Sequence, residues 1–88
     1  MRFDTFDWDT GNVEHIARHD VDPSEAEVVC RSHPLVVRGR RGCYLAYGRN
    51  ADGRYLLIVL RSLGGGTIRI ITARDMTPRE RRFYQGRH

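Results

Sequence analysis

Eighty-eight residues, 40% of them apolar and 30% charged, make one small domain over residues 1–88 with a modest core. No apolar run approaches the ~20 residues of a bilayer-crossing helix, and the acid-rich start Met1-Arg2-Phe3-Asp4 does not read as a signal peptide, so a cytoplasmic protein without membrane contact is expected. The two cysteines, Cys30 and Cys43, lack CxxC spacing and sit in apolar surroundings, which reads as two reduced thiols rather than a disulfide or a metal pair.

Phe6-Asp7-Trp8 alternates like a short strand. Asp9 or Thr10 caps a helix predicted through about His19, with Val13, Ile16 and Ala17 on one inner face. Asp20 then falls where a helix end often requires a left-handed residue, a conformation that Asp tolerates better than most. Asp22-Pro23-Ser24-Glu25 opens a second helix with a capping acid, a proline in the first turn and a glutamate three residues after the cap. Ala26, Val29 and Cys30 line its inner face, and Pro34 ends it.

Strand-like runs follow at Leu35–Arg38, Cys43–Tyr47, Tyr55–Leu60 and Thr67–Ala73. Turn signals separate them at Arg40-Arg41-Gly42, Asn50-Ala51-Asp52-Gly53 and Gly64-Gly65-Gly66. Tyr55–Leu60 is apolar on both faces and belongs in the middle of a sheet. Thr77-Pro78-Arg79-Glu80 is a capping box that opens a last helix. In that helix Arg79, Arg81 and Arg82 make a basic face while Phe83 and Tyr84 pack inward. The order β-α-α-β-β-β-β-α predicts an α+β domain, with helices packed on a mostly antiparallel sheet.

The net charge of +4 hides a polarised distribution. Residues 1–27 hold eight acids against Arg2 and Arg18, a balance of −6; residues 28–88 hold thirteen arginines against Asp52, Asp75 and Glu80, a balance of +10. Lysine is absent. Arginine grips phosphate with a planar fork and stacks on bases, although a GC-rich genome replaces Lys with Arg without functional cause. Arg49, Arg54, Arg61, Arg69 and Arg74 lie in or at the ends of the predicted strands. On one shared face they form a concave cationic surface, and RNA is the polyanion it suits best. Tyr44, Tyr47 and Tyr55 offer rings for base stacking, or else core packing.

RNA cleavage without a metal needs a base for the 2′-OH proton, cations for the dianionic phosphorane and an acid for the leaving 5′-oxygen. Glu80 is the candidate base, with Arg61 and Arg74 among the cations and His19 or Tyr84 as acid. Glu80 and Arg74 have an equally direct structural reading, as a carboxylate at a helix N-terminus held by a guanidinium. His15 and His19 share one helix face at zinc-binding spacing, but a third ligand from Cys30, His33 or His88 has no telling spacing, so no metal site is expected. Gly64-Gly65-Gly66 lacks the context and the lysine of a P-loop, Ser24, Ser32 and Ser62 belong to no nucleophile motif, and no cofactor is expected.

The segment Ile68-Arg69-Ile70-Ile71-Thr72-Ala73-Arg74, followed by Thr77-Pro78-Arg79-Glu80-Arg81-Arg82-Phe83-Tyr84, resembles the C-terminal signature of the BrnT toxins of bacterial toxin–antitoxin pairs. In that family a strand of the type IRIISAR runs into a helix of the type ATRRER..Y. Arg18-His19-Asp20-Val21 stands where the family has KHGV, with Arg for Lys and Asp for Gly, and the first helix looks one residue shorter, with His15 at a common Asn position. Other matching positions are Trp8, Asp9, Gly53, Arg54, Arg61, Arg69, Ala73, Arg74, Glu80, Arg81 and Tyr84. The resemblance implies a RelE-like fold and a toxin that cuts RNA, silenced by a cognate antitoxin protein; joined to the residue chemistry above, the leading expectation is a metal-independent endoribonuclease. His19, Arg61, Arg74, Glu80 and Tyr84 are then the expected catalytic set, with RNA bound by Arg49, Arg54, Arg69, Arg79, Arg81 and Arg82. A non-catalytic RNA- or ribosome-binding module and an antitoxin-docking domain remain the alternatives.

Overall fold

Backbone pairing settles which face each alternating side chain takes. A computed structural model describes residues 1–87, so His88, a candidate third zinc ligand, lies outside the described residues. The elements are β1 (Thr5–Phe6), α1 (Thr10–Ala17), α2 (Pro23–Arg31), β2 (Leu35–Arg38), β3 (Tyr44–Arg49), β4 (Tyr55–Gly64), β5 (Thr67–Asp75) and α3 (Pro78–Arg87). Their order is the predicted one. The strands form one sheet in the order β1-β5-β4-β3-β2, with β1 parallel to β5 and the remaining pairs antiparallel. The doubly apolar β4 sits at the centre, as its pattern requires.

Local chemistry accounts for the helix ends. Asp9 caps α1 and Asp22 caps α2, each closing a reciprocal capping box, with Asn12 and with Glu25. Asp20 takes the left-handed conformation, at φ 60°. The structure corrects α1 in two respects. It ends at Ala17 rather than near His19, and Ala17 is exposed. Its inward face is Ile16 with Asn12. The Asn12 amide is buried and satisfied, donating to the carbonyls of Asp7 at 2.9 Å and Ile70 at 3.1 Å and accepting from the Asp9 N–H at 2.8 Å. One polar side chain thereby ties the exit of β1, the start of α1 and the middle of β5 together.

Each face of the sheet carries its own apolar cluster. On one face α1 and α2 cover Ala46, Leu56, Ile58, Leu60, Ile68, Ile70 and Ala73, using Ile16, Val21, Ala26, Val29 and Cys30. Each fully buried leucine or isoleucine there stabilises the fold by ~2 kcal/mol. On the other face α3 packs Phe83 and Tyr84 against Tyr47, Leu57, Met76 and Tyr55. That helix covers only part of its face, and Val37, Leu45 and Val59 stay half-exposed.

A bulge in β5 decides what the second face carries. Val59 pairs with Thr72 and Leu60 with Ile70, which leaves Ile71 without a partner. Strict alternation puts Ile70 and Ala73 on opposite faces, because they are an odd number of positions apart; the extra residue returns both to the helix-covered core. It also brings Arg69 and Arg74 onto the same open face.

Candidate active site

On the open face the side chains stand in cross-strand rows. Leu57 lies opposite Tyr47 on one side and Arg74 on the other, Val59 opposite Leu45 and Thr72, and Arg61 opposite Arg69. The Arg74 row and the Arg61 row are four residues apart along β4, roughly 13 Å. Arginines thus stand at both ends of a half-exposed apolar strip.

Arg74 and Glu80 form a bidentate pair, with Nη1 to Oε1 at 2.7 Å and Nη2 to Oε2 at 2.9 Å. The capping box positions the carboxylate: Glu80 Oε1 accepts from the Thr77 N–H at 2.8 Å and Thr77 Oγ1 accepts from the Glu80 N–H at 3.2 Å. The Glu80 carboxyl is held below the ordinary glutamate value, chiefly by the Arg74 guanidinium, and so is ionised at neutral pH. The pair meets solvent, its side chains being 38% and 21% exposed.

Tyr47 is the residue whose role the sequence did not reveal. It stands in the Arg74 row and is buried, its ring tilted against Phe83 of α3 at 5.2 Å. Burial raises its hydroxyl above the ordinary tyrosine value, nearby Glu80 adding to the rise and Arg74 opposing it. The phenol is therefore protonated at neutral pH and lies beside an ionised carboxylate and a guanidinium. Its place in an alternating strand was legible; its neighbours, which come from β5 and α3, were not.

The other expected site residues separate into groups. Arg69 is held by Asp7 at 3.2 Å and Asp9 at 3.0 Å, and the hydrogen bond from Arg69 is the largest cause of the lowered Asp9 value. Arg61, across from it, has no carboxylate partner among the described residues; it reaches the Arg41 carbonyl at 3.3 Å and Cys43 Sγ at 3.6 Å. Arg49 and Arg81 lie against the Tyr55 ring at 4.7 and 4.1 Å, leaving little ring face for a base. Arg79 and Arg82 are exposed on α3. Tyr84 is buried with its ring edge-on to Tyr55.

Arg54 and His19 belong to the opposite face. Arg54 binds Asp75 through Nε at 2.7 Å and donates to the carbonyls of His19, at 2.9 Å, and Asp20. Glu25 lies 3.8 Å from the same guanidinium. This cluster staples the α1–α2 turn to the sheet. It places the exposed His19 on the side of α1 and α2, away from Glu80. The rings of His15 and His19 are 6.0 Å apart, and no group of three metal-ligating side chains gathers among the described residues. Tyr44 likewise packs on the helix-covered face, apart from Tyr47 and Tyr55.

The structure thus divides the arginines: one site on the open face around Arg74, Glu80 and Tyr47, a second cationic end at Arg61 and Arg69, and a structural Arg54 behind the sheet. A small α+β protein with an arginine-bearing sheet face beside a capped basic helix is the class these features define. The family model described as the ribonuclease toxin BrnT of type II toxin–antitoxin systems matches residues 8–80, and the chain belongs to that family. A search of curated proteins returns no match. Membership makes RNA the substrate class and an antitoxin the partner of this toxin type. No helix among the described residues is long and apolar enough to cross a membrane.

Proposed function

We propose that this chain is a metal-independent endoribonuclease whose reacting groups are Glu80, Arg74 and Tyr47. The observation that carries the reading is the bidentate Arg74–Glu80 pair on the open sheet face, beside a buried tyrosine and on the same face as Arg61 and Arg69. RNA lies along that face, its backbone held at the Arg61–Arg69 end. Glu80 takes the 2′-OH proton, and the 2′-oxygen attacks phosphorus. Arg74 balances the charge of the phosphorane. The P–O5′ bond breaks, Tyr47 gives its proton to the leaving oxygen, and the products are a 2′,3′-cyclic phosphate and a 5′-OH. Proton exchange with water resets both groups.

Glu80 is a weak base while Arg74 grips it. An incoming phosphate competes for the guanidinium, and as Arg74 turns to it the Glu80 carboxylate regains basicity. Substrate binding thus primes the base. His19 lies on the opposite side of the sheet from Glu80, and Tyr84 is turned inward from α3 with its ring edge-on to Tyr55.

The test is incubation of purified protein with RNA in a chelator, followed by analysis of the new ends. Cleavage that persists, leaves cyclic phosphate and disappears in the Arg74→Ala, Glu80→Ala double variant supports the reading. Cleavage equal in the double variant overturns it. The binding-only alternative draws on Glu80 already receiving three donors; it predicts a salt-sensitive complex that releases intact RNA.

A further inference from the structure

The outer edge of the sheet carries a second surface. β2 is the last strand on its side, and its ladder to β3 fixes which backbone groups face outward. The Gly39 N–H donates to the Cys43 carbonyl at 2.9 Å, just past the strand. Antiparallel pairs alternate between bonded and non-bonded, so Val37 and Leu35 exchange bonds with Leu45 and Tyr47. Val36 and Arg38 therefore point their N–H and C=O groups away from the sheet, free to template another strand.

Side chains around the edge favour a particular occupant. Val36 borders two cavities, one of about 600 Å³ with Arg2, Arg38 and Tyr44, the other of about 490 Å³ with Phe3, Cys30 and Arg31. The first is lined about equally by apolar and polar surface and the second mostly by polar surface, and each has arginine in its lining. Arg38, Arg40 and Arg41 are exposed, and no acid occurs between Glu27 and Asp52. An RNA backbone offers phosphate acceptors and 2′-OH donors, but not the alternating N–H and C=O groups at strand spacing that the edge at Val36 and Arg38 presents. A second copy of this chain brings the same arginines to the seam with no carboxylate from that stretch to meet them.

We propose that β2 is the docking edge for an extended segment of the antitoxin, rich in acidic and apolar residues, which adds a sixth strand to the sheet. Its backbone pairs with Val36 and Arg38, an apolar side chain enters the larger cavity beside Val36 and Tyr44, and its carboxylates meet Arg31, Arg38, Arg40 and Arg41. The inference rests on the toxin–antitoxin reading for the existence of the partner, and on the edge geometry for the place. Bound there, the partner leaves the Arg74–Glu80 pair to a different part of its own chain.

The probe is the protein encoded beside this chain, co-expressed and purified with it. In the complex, hydrogen exchange at the Val36 and Arg38 amides is expected to slow. Val36→Pro removes one outward N–H and none of the β2–β3 bonds, and is expected to weaken the complex about tenfold or more while RNA cleavage by the free toxin is unchanged. The double reversal Arg40→Glu, Arg41→Glu is expected to weaken it further, most at low salt. Full-strength binding by folded Val36→Pro, unprotected amides, or no complex with wild type overturns the proposal. So does slowed exchange caused by RNA or by self-association instead. Failure of the nuclease reading shows separately, as uncut RNA with the edge still protected.

Discussion

Two neighbouring residues at the end of β5, Arg74 and Asp75, point to opposite faces of the sheet, and each enters an ion pair. Behind the sheet, Asp75 holds Arg54, whose remaining donors are spent on the carbonyls of His19 and Asp20. In front, Arg74 holds Glu80 and also donates to the Asp75 carbonyl at 3.0 Å. The chemistry is the same and the surroundings differ. Arg54 is tied to the turn it stabilises, so a ligand that takes it must displace two backbone carbonyls as well as Asp75. Arg74 faces a half-open surface, and under the proposed mechanism a phosphate replaces its carboxylate there. An arginine's availability, rather than its presence, separates a structural cation from a functional one.

Removing the front cation is the most direct way to break this comparison. Arg74→Ala is expected to lower RNA cleavage by roughly 100- to 1,000-fold, the range found for losing one preorganised donor at a developing oxyanion. Initial rates on a single RNA substrate measure this, and the melting temperature is expected to move little. A variant that cuts RNA normally returns Arg74 to the structural class of Arg54.

The mirror experiment is Arg54→Ala. Its expected effect is on stability, about 1–3 kcal/mol, since two carbonyls and Asp75 lose a charged donor while Asp75 stays largely solvated. Thermal unfolding reads it as a fall in Tm, with cleavage at low temperature close to wild type. A tenfold or larger loss of cleavage with unchanged Tm contradicts the division.

Tyr47→Phe sharpens the front site alone. It preserves the ring contact with Phe83 and deletes the proton donor, and is expected to reduce cleavage roughly 100-fold, at the low end of general-acid contributions. The alkaline limb of the pH–rate profile, set by a hydroxyl that burial pushes up, is expected to vanish with it. An unchanged profile removes Tyr47 from the mechanism.

Much of this architecture is written locally. Asp22-Pro23-Ser24-Glu25 and Thr77-Pro78-Arg79-Glu80 declare helix starts because caps act within one turn. Tyr55–Leu60 declares a central strand because both its faces must be buried. The faces themselves are not local. Arg69 and Arg74 are five positions apart, and alternation alone sets them on opposite sides; the unpaired Ile71 puts them on the same one. No residue type at position 71 announces a bulge. The acidic first third and basic remainder of the sequence likewise look like separate surfaces. Folding stitches them together through Arg69 with Asp7 and Asp9 and through Arg54 with Glu25. Such long-range pairings depend on sheet order, which charge counting does not contain. Asn12 teaches the same lesson: its two carbonyl partners are on different elements, so the sequence shows only a polar residue in a helix.

The smallest expected effect concerns acid. The Arg74 guanidinium depresses the Glu80 carboxyl in the folded state, and an unfolded glutamate titrates near its ordinary value of about 4.3. Stability from this pair is therefore complete above that value and is lost as pH falls through the depressed folded one. Glu80→Gln is expected to cost about 1 kcal/mol or less at pH 7, because the pair is partly solvated, and to make the variant and wild type converge as pH drops below 4. Urea unfolding across that range checks the sign. Asp75 is depressed in the same direction by Arg54, so the wild-type chain keeps an acid-sensitive limb even when Glu80 is silenced. A Glu80→Gln variant whose deficit grows toward low pH contradicts the pairing of Glu80 with Arg74 in solution.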